Sequence, residues 1–207
     1  MSVVAVAIPP QLVGYLDELV TRLSTAADLH AVYLIGSAAS GDYEHGRSDV
    51  DVIAVTKRSL TDGERRKLVG AAESLPCPAR KLELVVYPLG SDRHEINLNT
   101  GEKVSFDPAD DPTFWFVLDL AIAEQNAVVL WGPPWQEVFE PVSHGAVLEA
   151  LDRALDWQEE NDPIGRSSVL NACRAWMWLE TGDWRSKPEA AAWLRGRVRA
   201  RLAEEGA

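Results

Sequence analysis

The chain has 207 residues with 32 acidic and 20 basic side chains, a net charge of −12 at pH 7. A surface of that sign repels polyanions and draws small cations, which sets nucleic acid aside as a partner. A hydrophobic content of 46% fills a globular core, and no apolar run approaches the roughly 20 residues that span a bilayer, so no membrane role is expected.

The opening stretch MSVVAVAIPPQLVGYLDELV reads as neither signal peptide nor anchor, because it meets Pro9, Pro10, Asp17 and Glu18 without a basic lead-in. Leu12, Leu16, Leu19, Val20 and Leu23 recur at helical spacing and predict a helix over residues 10 to 27. Ala31 to Ile35 and Asp49 to Val55 read as strands. Residues 61 to 75 read as a helix with Thr61 and Glu64 in a capping box, and Lys81 to Tyr87 as a third strand. Cys77 and Cys173 lack metal-ligand spacing and suit two free thiols in a reducing cytoplasm.

All eight tryptophans fall between Trp115 and Trp193, and the shift near DPADDP at 107 to 112 predicts a domain boundary there. The expected division is 1–112, an α/β unit, and 113–207, a helical bundle with helices at 113 to 126, 144 to 160, 167 to 180 and 187 to 204. The fold class is α+β. Trp176 and Trp178 lie two apart on a helix, so both cannot face the core, and the arginines at 195, 197, 199 and 201 spread around theirs.

The chemistry concentrates in VYLIGSAASGDYEHGRSDVDVIAV, residues 32 to 55. Asp49 and Asp51 are two apart on an expected strand and project to one face, while Val50, Val52 and Ile53 serve the core. Two adjacent carboxylates repel unless a cation stands between them, and hard oxygen donors suit Mg²⁺. Gly36 lets the backbone approach an anion, and Ser37 offers a hydroxyl and an N–H at an expected helix start. Glu83, alternating with Leu82 and Leu84, joins the pair if the third strand lies beside the second.

With 11 residues between Ser37 and Asp49, this GS, DxD and strand-Glu pattern resembles the nucleotidyltransferase superfamily with the polymerase-β-like palm, a mixed sheet with helices. FWFVLDLAIAEQNAVVLWGPP, LNACRAWMWLETGDW and SKPEAAAW are similar to the helical C-terminal domain of the aminoglycoside (streptomycin/spectinomycin) adenylyltransferases, an antibiotic-resistance family. The resemblance implies transfer of AMP from ATP to a hydroxyl of a small cationic acceptor. It implies two Mg²⁺ ions on Asp49 and Asp51 beside Glu83, with Glu83 as catalytic base, and phosphate contacts from Gly36, Ser37 and Ser48. It places Asp119, Arg174 and Lys187 on the nucleotide. Trp157 and Asp162 would meet the antibiotic between the domains, amid the negative potential of Asp156, Glu159 and Glu160. A monomer is favoured.

Three departures from the family pattern bear on the acceptor. EINLNTGEK has no tryptophan after the third strand, Gly165-Arg166 stands where an acidic residue is expected, and the family's last helices, with a tyrosine on the nucleotide, do not follow before Ala207. The alternatives are a nucleotidyltransferase acting on another metabolite or on a protein side chain, as in toxin-antitoxin systems, and a nucleotide-binding module without catalysis.

Overall fold

Side-chain alternation divides the central sheet into two faces with different fates. The computed structural model describes residues 8–205, so the start of the leader reading, residues 1–7, lies outside the described residues. Helix α1 (Pro10–Ala26) leads into β1 (Leu29–Ile35), the single-turn α2 (Gly36–Ser40) and β2 (Val50–Thr56). Then come α3 (Asp62–Glu73), β3 (Leu82–Pro88), β4 (Ile96–Asn99) and β5 (Lys103–Ser105). Helix α4 (Thr113–Asn126) precedes β6 (Val128–Trp131), and α5 (His144–Asn161), α6 (Arg166–Thr181) and α7 (Lys187–Glu205) close the chain.

The strands run in the order β5-β4-β3-β2-β1-β6, with β2 and β3 parallel and the other pairs antiparallel. Val32, Leu34, Val50, Val52, Ala54, Leu82, Leu84 and Val86 share one core cluster with Leu12, Leu16, Leu19 and Leu23 of α1 and Leu68 of α3. The opposite face carries Tyr33, Ile53, Val55 and Tyr87, packed with Ala123 of α4 and Trp135. Asp51, Glu83, Asn97 and Asn99 belong to that second face by alternation, at the strand ends beyond this cluster. The α3 capping box forms as the sequence predicts, Thr61 and Glu64 each accepting from the other's backbone.

The expectation that the chain turns helical throughout after residue 112 is corrected. Val128–Trp131 forms a strand on the edge of the sheet, against β1, and α4 divides between two compact units. One unit holds residues up to Thr113 with Asp119–Pro141, the other Phe114–Leu118 with the chain from Val142. In the second unit α6 packs on α5 and α7, and Trp178 lies inside while Trp176 stays 56% exposed. Among the described residues, no helix is long and apolar enough to cross a membrane.

Candidate active site

The register of four strands sets one row on the second face: Ile35 opposite Asp51, Asp51 opposite Glu83, and Glu83 opposite Asn99. The parallel β2–β3 pairing, which no periodicity announces, makes Asp51 and Glu83 neighbours. Gly36 follows β1 with φ of +65°, and a Cβ there would stand 2.0 Å from Asp51 Oδ2. The glycine therefore serves two needs, a left-handed turn and room for the carboxylate.

Asp49 stands one residue ahead of β2, where Arg80 grips it with both arms of its fork, Nε to Oδ1 at 2.8 Å and Nη2 to Oδ2 at 2.5 Å. That hydrogen bond is the main reason the Arg80 guanidinium is held above its ordinary pKa. Lys81 donates to Glu102 Oε2 at 2.6 Å and Asn99 Oδ1 at 3.0 Å, and its ammonium pairs with Glu83 Oε1 at 2.8 Å. Burial pulls its amine down, but the bonds to Glu102 and Glu83 outweigh that and leave it raised. Each end of the carboxylate set thus has its own internal cation. Among the described residues no group of three His, Cys, Asp or Glu side chains is arranged to hold a metal ion.

Ser37 lies in the first turn of α2, with its carbonyl accepting from Asp42 N at 3.1 Å. Ser48, expected on phosphate, uses its hydroxyl to accept from Glu44 N at 3.0 Å and closes the loop before β2. Asp119 is exposed on α4, and its charge adds to burial in raising the Tyr87 phenol.

In the second unit, Arg174 of α6 lies over Trp184 at 5.8 Å from the ring centroid. Trp184 stacks on Trp178 at 5.4 Å and Trp178 on His144 at 4.9 Å, a ring column at whose end the arginine's guanidinium lies. Lys187 opens α7. Trp157 is 38% exposed and meets Trp115 edge to face, with centroids 5.6 Å apart. Asp162 accepts from Ser168 Oγ at 3.2 Å, and a Cβ on Gly165 would strike its carboxylate at 1.7 Å. Gly165, where the family pattern expects an acid, makes room for the Asp162 carboxylate at the start of α6.

Arg80, Lys81, Asn97, Asn99 and Trp115 escaped the sequence reading. For Lys81 a signal existed, since it lies two residues from Glu83 along an expected strand and so shares its face. Trp115 needed the tertiary fold.

Residues 16–100 match the nucleotidyltransferase domain and residues 137–204 the C-terminal domain of aminoglycoside adenylyltransferases. The chain thus joins a nucleotidyltransferase domain to the C-terminal domain of an aminoglycoside adenylyltransferase. An aminoglycoside (3'') (9) adenylyltransferase of Klebsiella pneumoniae is 29% identical over 198 residues, covering 82% of this chain and 72% of that protein. One from Rhizobium radiobacter is 36% identical over 179 residues, 73% of this chain and 64% of that protein. In fold, the chain is similar to a spectinomycin adenyltransferase of Enterococcus faecialis solved with ATP and spectinomycin, with a TM-score of 0.68 at 16% identity over 87% of this chain and 79% of that one. The row of Asp51 and Glu83 lies within the nucleotidyltransferase domain.

Proposed function

We propose that the protein transfers AMP from ATP to a hydroxyl of a small cationic acceptor, an aminoglycoside or spectinomycin, at Asp49, Asp51 and Glu83. The observation that carries the reading is the in-register pair of Asp51 and Glu83 beneath Gly36. One or two carboxylates completed by nucleotide phosphates are the donor set Mg²⁺ takes, so this pair fits the ion, with Asp49 as a third donor. Two Mg²⁺ ions, when bound, neutralise charge on the triphosphate and on the leaving pyrophosphate.

Glu83 takes the proton of the acceptor hydroxyl as its oxygen bonds to the α-phosphorus; the bond to the bridging oxygen breaks and pyrophosphate leaves with the electron pair. Gly36, Ser37 and Ser48 hold phosphate oxygens in this reading, and Asp119, Arg174 and Lys187 also serve the nucleotide. Trp157, backed by Trp115, gives the acceptor a flat apolar surface, and Asp162 adds negative charge for its amines. The protein acts as a monomer in the cytoplasm, with neither nucleic acid nor membrane as partner.

Glu83→Gln removes the proton acceptor but keeps the side-chain shape. We expect it to bind ATP and lose turnover by about 10²-fold or more, the scale of general-base catalysis. Calorimetry of ATP binding beside a pyrophosphate-release assay checks this, and wild-type turnover by the variant contradicts the assignment. Turnover with another metabolite or a protein substrate, but with none of the antibiotics, would move the acceptor and leave the chemistry.

A further inference from the structure

We propose that Lys81 is a positioning residue for Glu83, fixing where its carboxylate stands and acting on turnover only through it. The inference rests on the reading of Glu83 as base. Lys81 immediately precedes β3 and is only 9% exposed. An ammonium has three N–H donors; here it donates to Glu102 and Asn99 at 2.6 and 3.0 Å, and Glu83 Oε1 is its ion-pair partner at 2.8 Å. Three protein groups surround the ammonium, so this is no lysine reaching for a phosphate.

The anchor is itself braced. Asn99 Nδ2 donates to Asn97 Oδ1 at 3.3 Å, and Asn97 Nδ2 donates to Asp111 Oδ2 at 2.9 Å. Lys103 donates to Asp111 Oδ1 at 2.7 Å, which holds that carboxylate in turn. A chain of bonds thus runs from the loop ahead of α4, along β4, to the carboxylate on β3. Asn99 is also the register partner of Glu83, so backbone and side chains fix the same pair. Lys81 pairs with Oε1 of Glu83, which limits how the carboxylate can turn. Placing such a group to within a fraction of an ångström is what separates turnover from mere binding.

The test compares wild type with Lys81→Met and Lys81→Arg in kcat, KM for MgATP, calorimetric ATP affinity and thermal midpoint. Lys81→Met should lose about tenfold or more in kcat while KM and ATP affinity stay within about twofold, the pattern of an interaction made in the transition state. Lys81→Arg keeps the charge but replaces point donors with a planar fork. It should melt near wild type and still lose about fivefold in kcat, which keeps the proposal testable should the methionine variant fail to fold. In a Glu83→Gln background Lys81→Met should cost nothing further.

A folded variant with wild-type kcat overturns the proposal, as does a loss that falls on ATP affinity. If Glu83→Gln turns over normally, the base assignment falls instead. If the wild type releases no pyrophosphate with any acceptor, the reaction itself falls, and a double-mutant cycle of Lys81 and Glu83 in thermal stability reads the contact alone: coupling supports it, additivity overturns it.

Discussion

Gly36 shows how much one hydrogen atom in place of a side chain decides here. Its φ of +65° disfavours any L side chain, and an added Cβ would meet Asp51 Oδ2 at 2.0 Å. Gly36→Ala should therefore cost about 1–3 kcal/mol of stability, the range for a strained left-handed residue, and abolish turnover by moving Asp51. Urea unfolding and the pyrophosphate assay measure the two effects; an alanine variant with wild-type stability and rate would show that the turn and the carboxylate can move apart. The glycine, both aspartates and Glu83 were legible in the sequence because strand alternation and a GS turn are local signals. The clasp of Arg80 on Asp49 was not, since 31 positions separate them and only the parallel β2–β3 pairing closes the distance.

Among the elements, α3 was readable because its start is a local bargain between Thr61 and Glu64, whereas the sheet edges were not. Beta5 offers only three residues of alternation, and β6 is four residues whose partner, β1, lies almost a hundred positions earlier. A short apolar run ahead of Gly-Pro-Pro reads equally well as a helix end. The α3 cap also carries a pH signature. The Arg58 fork first, then the Thr61 backbone and hydroxyl, draw the Glu64 carboxyl from 4.5 down to about 2. A carboxyl lowered on folding contributes stability that is whole above its unfolded pKa and drains away as pH falls toward its folded one. The difference in urea midpoint between wild type and Glu64→Gln should hold steady above about pH 5 and narrow progressively below about 4.5. A difference constant down to about pH 3 would mean that Glu64 is not lowered on folding.

At the scale of the whole molecule, the composition shift near residue 112 reflects the absence of tryptophan before Trp115, whereas the compact unit that holds the sheet also takes in Asp119–Pro141 with Trp131 and Trp135. The edge-to-face contact of Trp115 and Trp157 was not legible in the sequence, because it joins residues 42 positions apart on two helices. A net charge of −12 suits a polycationic acceptor, and long-range attraction raises its local concentration. Whether this chain adenylylates an antibiotic with its aspartate pair is read from pyrophosphate release from ATP and Mg²⁺ with and without streptomycin or spectinomycin. Asp49→Ala/Asp51→Ala protein serves as the blank. Release should require one of the drugs and vanish in the double variant; release that persists in the double variant, or that no drug stimulates, would rule out antibiotic adenylylation at this aspartate pair.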